Sequence, residues 1–168
     1  MAISLNSYAH RKLQKSLYSL MESKNPLKLF DVWYKDANKN PKVIGVNTMR
    51  LATVNEGGKP SVQVVSLSDF SANGFKIMTF EKCSTKYVPN YGALVMYWEL
   101  LNRQIRIEGV IEKISSTDFI VKPEKFEFWQ HQSKSMHDRV LFFLSSESNE
   151  STCCNVGEDG WVYQWLEP

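Results

Sequence analysis

The chain has 168 residues, of which 43% are hydrophobic and 23% charged, and its formal net charge is +2 at pH 7. This length and composition are typical of one globular domain with a substantial hydrophobic core. The charge is too small to indicate nucleic acid or an anionic membrane as a partner, and no apolar run approaches the roughly 20 residues that span a bilayer.

The cysteines and the N-terminus bear on the cellular compartment. Cys153 and Cys154 are adjacent and Cys83 is the third cysteine, so the sequence does not suggest a disulfide framework. The N-terminus also lacks the apolar core of a signal peptide. We therefore predict a reducing, cytoplasmic compartment. No cluster of cysteine and histidine has the spacing of a zinc site, and we predict no metal.

The first 24 residues are predicted to form an N-terminal helix or tail that precedes the main domain at 25–168. Leu13, Leu17, Leu20 and Met21 have helical spacing, opposite a face rich in lysine and arginine. A helix docked on the domain and a frayed tail both fit that spacing, and the two alternatives stay open here.

Asn25-Pro26 predicts the N-cap and the first residue of a second helix. The apolar stripe behind it comprises Leu27, Phe30, Trp33 or Tyr34, and Ala37. Asparagines and a proline at 38–41 predict the end of this helix.

Short strands dominate the rest of the chain. The predicted strands lie at 48–54, 61–67, 75–80, 94–98, 104–114, 126–129, 140–144 and 161–166. Turn residues at 55–60 and 71–74 separate the first three, and the polar stretch 145–155 predicts a loop. Many short strands with turn chemistry between them favour an antiparallel barrel. The predicted fold class is therefore mainly β with flanking helices.

The strand at 104–114 carries an unusual polar row. Gln104, Arg106 and Glu108 alternate with isoleucines, which is the period of a half-buried strand. Polar groups in that position either face water on one side of an antiparallel sheet or belong to a hydrogen-bonded site. In the first case, Arg103 and Arg106 would be surface ion-pair partners of the neighbouring glutamates. The pattern alone leaves both interpretations open.

Several stretches, in order along the chain, resemble one known family, the pyridoxamine 5′-phosphate oxidases. They are Leu51-Ala52-Thr53-Val54, Gly58-Lys59-Pro60-Ser61, Tyr97-Trp98 with residues 103–109, Phe126-Glu127-Phe128-Trp129-Gln130, His137-Asp138-Arg139, Trp161, and Leu166-Glu167-Pro168. The resemblance implies an FMN-binding split β-barrel that forms a homodimer, with one FMN at each end of the subunit interface. In that family the flavin accepts a hydride from pyridoxine or pyridoxamine 5′-phosphate and passes electrons to oxygen, which yields pyridoxal 5′-phosphate.

The resemblance also implies roles for individual residues. The implied cofactor-binding positions are Gln63, Val64, Val65, Ser68, Met78, Thr79, Thr85, Lys86, Gln104, Trp129 and Arg139. The implied substrate-binding positions are Ser68, Ser135 and His137, and the implied catalytic positions are His137 and Arg139. Among these, Gln104 corresponds to the glutamine that hydrogen-bonds the flavin, and Lys86 to a lysine that binds the FMN phosphate.

Four residues depart from the family pattern, two at flavin-binding positions and two at positions that reach the substrate. Gln63 and Thr85 stand where the family has arginines, Ser68 replaces a lysine that reaches both flavin and substrate, and Ser135 replaces a substrate-binding arginine. A family segment that carries a Tyr…Arg…Ser phosphate-binding set is also absent, because residue 114 is followed almost at once by the run-in to the second signature at 121–124. The chain is an abbreviated member by this comparison.

The missing side chains and the missing segment mainly affect binding of the phosphate group of the substrate. Charge-assisted hydrogen bonds to a phosphate contribute around 1.5–3 kcal/mol each, so affinity for a phosphorylated vitamer is expected to fall by several powers of ten. Oxidase activity is then weak, altered or absent. The alternatives are a non-catalytic binder of FMN or pyridoxal phosphate and a ligand-free dimerisation scaffold.

Individual residues also have structural interpretations that stay open. Trp129 can be a core or interface aromatic residue, and His137 can belong to a structural polar cluster with Asp138 and Arg139. His10 and His131 are predicted to be surface residues.

Overall fold

The structure is a computed structural model that describes residue 17 and residues 21–79, 90–131, 137–145 and 154–167. Three of the predicted site residues, Thr85, Lys86 and Ser135, lie outside these ranges. No helix within them is long and apolar enough to cross a membrane.

The predicted helix after Asn25 is confirmed. Helix α1 spans Pro26–Lys39, and the Asn25 side-chain oxygen accepts hydrogen bonds from the backbone N–H groups of Leu27 (2.8 Å) and Lys28 (3.3 Å). These bonds satisfy two of the N–H groups that a helix start leaves without partners. The buried face of α1 comprises Pro26, Leu29, Phe30, Trp33 and Ala37. Leu29 is the member that the predicted stripe lacked.

The segment before α1 contributes two residues to the same core. Leu17 is helical and fully buried, and Met21 is 4% exposed. The Leu17 backbone N–H donates a hydrogen bond of 2.8 Å to the Asp138 carboxylate. At these two positions the chain is docked on the domain rather than frayed.

Nine antiparallel strands follow α1 in the described residues. They are β1 (Thr48–Val54), β2 (Pro60–Ser71), β3 (Gly74–Thr79), β4 (Tyr91–Trp98), β5 (Arg103–Lys113), β6 (Asp118–Gln130), β7 (Asp138–Leu144), β8 (Asn155–Val156) and β9 (Trp161–Leu166). Strands β1 and β9 have the predicted bounds. Strand β2 is longer than predicted and contains a bulge at Ser68, and the two-residue strand β8 was not predicted.

Strand β6 begins much earlier than predicted. The sequence prediction placed its start at residue 126, but β6 begins at Asp118 and has 13 residues. The strand contains Pro123, and proline cannot donate to a sheet ladder. It is accommodated because the β5–β6 register shifts at this position, and bulges tolerate proline.

The strands form a closed barrel with an extension. Their order is β3-β2-β1-β4-β5-β6-β7-β9-β8, and an additional pairing of β3 with β6 closes the first six strands. The first part of β6 pairs with β3 through residues 118–121, whereas its last part pairs with β7 through residues 125–130. Strand β6 therefore belongs to the barrel and also joins it to the extension formed by β7, β9 and β8, which confirms the predicted split β-barrel.

Aromatic residues join α1 to the interior of the barrel. Phe30 makes edge contacts with Phe70 and Phe75, each with ring centroids 4.8 Å apart, and Trp33 makes one with Phe128 at 5.3 Å. Full burial of such side chains contributes roughly 1.5–3 kcal/mol each.

Arg103 is not a surface residue, contrary to one of the open interpretations. It is 5% exposed, and its guanidinium lies 4.8 Å from the centroid of the Trp33 ring. Nη1 donates to the Asp36 carboxylate at 2.7 Å and Nε donates to the Gln130 side chain at 2.9 Å. Burial lowers the pKa of Arg103, and the hydrogen bond to Asp36 opposes that shift. Arg103 therefore joins α1 to strands β5 and β6.

Gly109 marks the point where β5 and β6 slip by one residue. Glu108 pairs with Lys125, but Gly109 pairs with Pro123, so one residue of β6 has no partner on β5. A Cβ atom added to Gly109 would lie 1.9 Å from the Lys122 carbonyl oxygen. The close approach of the two backbones requires glycine here.

We expect Gly109→Ala to lower the free energy of unfolding by about 3 kcal/mol or more, because the added methyl group forces the two strands apart. Gly57→Ala is the control, since its Cβ would meet only the Asn55 side chain at 3.4 Å. Urea unfolding of both variants measures the difference. Equal and small effects would show that the bulge tolerates a side chain.

The turn between β8 and β9 holds the start of α1 through Glu158. The Glu158 carboxylate accepts hydrogen bonds from the Ser23 hydroxyl, the Lys24 backbone N–H (2.8 Å) and Lys28 Nζ (2.7 Å). The hydrogen bond from Lys28 is the largest of the effects that lower the pKa of Glu158 to about 2. The ionised carboxylate therefore stabilises the folded state.

A lowered pKa in the folded state gives a stabilisation that is present above the ordinary value of 4.5 and disappears as the pH falls towards 2. We expect Glu158→Gln to lower the melting temperature at pH 7, and this difference from the unsubstituted chain should shrink as the pH falls from 4.5 to 2. Thermal unfolding across that range tests it, with Glu56→Gln in the exposed β1–β2 turn as control. A difference that does not change with pH would contradict this assignment.

Candidate functional site

Three of the predicted flavin contacts lie side by side in one row. Gln104 on β5 is directly opposite Trp129 on β6, and Trp129 is directly opposite Arg139 on β7. Residues directly opposite in an antiparallel sheet lie about 5 Å apart and point to the same face. The flanking Ile105 and Phe128 are fully buried, so the row faces outward from the barrel. An amide, an indole and a guanidinium therefore meet on one surface.

A charged row lies two residues further along the same face. Arg106 on β5 is opposite Glu127 on β6, and Glu127 lies on the same side of its strand as Trp129. One Glu127 oxygen accepts hydrogen bonds from Arg139 Nε (3.1 Å) and Nη2 (2.7 Å), and the other accepts one from Arg106 Nη2. Arg106 also pairs with Glu108 at 3.3 Å. The polar row of β5 is thus part of a hydrogen-bonded network, and the predicted Arg106–Glu108 ion pair belongs to it.

Glu127 is an ionised carboxylate in spite of its burial. Its side chain is 9% exposed. Burial raises its pKa, but the hydrogen bonds from Arg139 and Arg106 and the charges of both guanidinium groups outweigh that effect, so the pKa lies below its ordinary value. The carboxylate charge is therefore kept where two arginines converge.

Arg139 is held on a second side by the C-terminal end of the chain. Its Nη1 donates to the Glu167 backbone carbonyl at 3.3 Å, and its side chain remains 32% exposed. The guanidinium is therefore fixed by its neighbours and still faces the outer surface beside Trp129.

Two histidines lie next to Trp129. The Nδ1 atoms of His131 and His137 are 2.9 Å apart, so one ring donates a hydrogen bond that the other accepts. Their ring centroids lie 6.2 Å and 5.0 Å from that of Trp129. The nearby Asp138 carboxylate accepts a hydrogen bond from the Leu17 backbone N–H. His137 thus belongs to an aromatic cluster at the end of the row.

The predicted flavin contacts on β2 are split between its two faces. Val64 points outward and is 51% exposed, whereas the Val65 side chain is fully buried in the core, so only its backbone can meet a ligand. Gln63 is exposed towards the start of the strand. The Ser68 hydroxyl donates to the Lys76 carbonyl at 3.0 Å, within the bulge where β2 pairs with β3.

On β3, Met78 points outward and is 43% exposed, and Thr79 is buried. The Thr79 backbone N–H donates to the Thr117 carbonyl at 2.9 Å. Met78 lies opposite Asp118, which is eleven residues before Trp129 on β6. Eleven residues of strand correspond to roughly 35 Å. Within one chain, the structure therefore does not bring the β3 residues to the row that contains Trp129.

Sequence reasoning assigned no role to Glu127 and placed His131 on the surface. Glu127 lies within the second signature, two residues before Trp129, and that spacing places both side chains on the same face of a strand. Its two arginine partners are revealed only by the strand register. His131 lies six residues before His137 and has no local pattern that indicates the contact.

The sequence is similar to that of known proteins. Residues 118–168, which begin at β6, match the family described as the pyridoxine 5′-phosphate oxidase C-terminal dimerisation region. The chain is 27% identical over 209 aligned positions to pyridoxine-5′-phosphate oxidase of Bos taurus, with 88% of this chain and 80% of the bovine protein covered. It is 39% identical over 101 positions to pyridoxine/pyridoxamine 5′-phosphate oxidase of Bartonella quintana, covering 58% of this chain and 48% of that protein.

Solved structures give the same fold. PhzG of Burkholderia lata, in complex with tetrahydrophenazine-1-carboxylic acid, superposes with a TM-score of 0.68 at 15% identity and covers 88% of this chain and 95% of its own. A pyridoxamine 5′-phosphate oxidase-related, FMN-binding protein of Nostoc punctiforme has a TM-score of 0.64 at 9% identity, with 86% and 98% covered. The family match, the sequence relatives and the signatures support membership in the pyridoxine/pyridoxamine 5′-phosphate oxidase family, and the solved structures show that the fold is that of the FMN-binding split barrels.

Proposed function

We propose that this protein binds FMN on the surface formed by Gln104, Trp129 and Arg139, and that its turnover of phosphorylated vitamers is weak or absent. The row of these three side chains carries the proposal. An amide and a guanidinium supply hydrogen bonds suited to the polar edge of a flavin ring, and an indole supplies an apolar surface beside it. When bound, the flavin supplies the hydride-accepting chemistry, and the protein supplies position and charge. One structural relative is itself described as an FMN-binding protein.

We propose further that two copies of the chain complete the site. The outward residues of β2 and β3 and the row on β5, β6 and β7 lie at distant points of one chain, so a ligand that contacts both sets needs a second copy. The outer face of β2 exposes Val62 (66%) and Val64 (51%), as expected for a surface that is covered by a partner. The C-terminal family match, described as a dimerisation region, supports the same arrangement.

The turn between β5 and β6 and the residue Ser68 support the proposed loss of phosphate binding. Strands β5 and β6 are joined by a turn at residues 114–117, in which the Ser115 hydroxyl accepts a hydrogen bond from the Asp118 backbone N–H. The turn consists of Ile114, Ser115, Ser116 and Thr117, and none of these residues carries a positive charge. The alignment with the bovine relative spans 209 positions and 88% of this 168-residue chain, so the relative contains residues that this chain lacks. The Ser68 hydroxyl is short and hydrogen-bonded to the backbone, and it carries no positive charge for a phosphate.

A second candidate is a flavin oxidoreductase whose substrate has no phosphate. PhzG, which has the same fold, was solved in complex with tetrahydrophenazine-1-carboxylic acid, a carboxylated ligand without a phosphate. Arg139 and the His131–His137 pair offer polar contacts to such a ligand. The alternative of a ligand-free scaffold receives no support from a row that keeps all three flavin-contacting side chains together.

The proposal is tested first with the visible spectrum. We expect the purified full chain, mixed with FMN and passed over a sizing column, to retain flavin absorbance in a dimer peak. With pyridoxine 5′-phosphate under air, kcat/KM should be at least about a hundredfold lower than that of the bovine relative, because two or more charge-assisted phosphate contacts are missing. A flavin-free dimer would refute FMN binding, and turnover equal to that of the relative would refute the loss of the phosphate site.

Single substitutions test the row itself. We expect Arg139→Ala and Gln104→Ala each to weaken FMN affinity by about 1–3 kcal/mol, because each removes hydrogen bonds to the flavin. Quenching of flavin fluorescence during titration measures the dissociation constant.

Glu112→Ala is the matched control, because Glu112 lies on the same strand as Gln104 and pairs with Lys122 away from the row. Unchanged FMN affinity in both Arg139→Ala and Gln104→Ala would remove the site assignment.

A further inference from the structure

Glu127 is placed to control the orientation of Arg139. Both of its carboxylate oxygens are occupied by guanidinium groups, one by Arg139 and the other by Arg106. The carboxylate is nearly buried, whereas the two arginines are about one-third exposed or more. Glu127 therefore lies beneath the surface, and the arginines extend from it towards that surface.

The hydrogen bonds leave two N–H groups of Arg139 available. A guanidinium has five N–H groups. Nε and one N–H of Nη2 point to Glu127, and one N–H of Nη1 points to the Glu167 carbonyl. One N–H on each terminal nitrogen has no acceptor among the described residues. These two N–H groups remain as donors for a ligand, and arginine N–H groups of this kind bind planar, electron-rich groups.

The charges explain why a carboxylate is needed here. Arg106 and Arg139 both lie within hydrogen-bond distance of one carboxylate, so without it their like charges would repel each other. Arg139 would then turn towards water and lose its orientation beside Trp129. A side chain that is already held in its binding geometry loses less conformational entropy when a ligand arrives.

We infer that Glu127 is a positioning residue for the flavin: it fixes the Arg139 guanidinium on the surface formed with Gln104 and Trp129, with two N–H groups left to donate to the ligand. This inference rests on the proposed FMN site. Glu127 itself does not contact the ligand and acts through Arg139. A purely structural role, in which Glu127 only stabilises the pairing of β5, β6 and β7, makes a different prediction.

A double-mutant cycle separates the two roles. FMN dissociation constants are measured by fluorescence quenching for the full chain and for the Glu127→Gln, Arg139→Ala and doubly substituted variants. We expect Glu127→Gln to weaken FMN binding about tenfold in the otherwise unchanged chain, and less than about twofold when Arg139 is already alanine. A structural role would instead give similar factors in both backgrounds, together with lower stability in urea.

Two further variants serve as controls. Glu108→Gln removes a carboxylate that pairs with Arg106 but does not contact Arg139, and it should change FMN affinity less than about twofold. Glu127→Asp keeps the charge on a shorter side chain, so it should bind FMN more tightly than Glu127→Gln and less tightly than the unsubstituted chain. If Glu127→Gln does not fold, the aspartate variant is carried through the same cycle with Arg139→Ala.

The outcomes are distinct. Wild-type affinity in Glu127→Gln, or equal factors in the two backgrounds, would overturn the inference and leave the FMN site intact. Failure of the unsubstituted chain to bind FMN would refute the proposed function, and the inference with it. Strong coupling between Glu127 and Arg139, with Glu108→Gln unchanged, would support it.

Discussion

The shared strand β6 is the constraint on which the architecture depends. Its first residues close the barrel against β3, and its last residues pair with β5 on one side and β7 on the other. One continuous strand takes part in both the barrel and the extension. Its register with β5 shifts at Gly109, where the two backbones approach closely. The same strand places Trp129 between Gln104 and Arg139. The barrel closure and the candidate site are therefore consequences of one pairing pattern.

Local patterns predicted the elements whose signals are contained in a few neighbouring residues. Strands β1 and β9 have their predicted bounds because alternation and turn residues define both ends. The predicted start of β6 was wrong, and the observed strand includes Pro123, which a strand tolerates only at a bulge or an edge. Whether a bulge lies there depends on a partner strand more than ten residues earlier. No pattern within β6 contains that information.

In the candidate site, too, some features were predicted from short sequence patterns and others depend on residues of distant strands. Gln104, Trp129 and Arg139 were identified from the family signatures, and the register places them in one row as expected. The network that holds them was not predicted, because Glu127 gains its role from Arg106 and Arg139 on two different strands. Arg103 has the same charge as Arg106 and lies on the same strand, but it does not belong to this network. Its side chain faces inward and contacts Trp33 and Asp36. The two arginines are three positions apart, and an odd spacing along a strand places one in the core and the other on the surface.

The role of β6 in barrel closure has a consequence for how this fold can be divided. The C-terminal region that matches a family description begins at residue 118, which is also the first residue of β6. A C-terminal fragment that begins at this boundary would include β6, the sixth strand of the barrel. The remaining N-terminal part would then have unpaired edges on β3 and β5. The boundary recognised by sequence therefore does not separate two autonomous folding units. Recombination between relatives at this point would have to preserve the edge pairing of both neighbours.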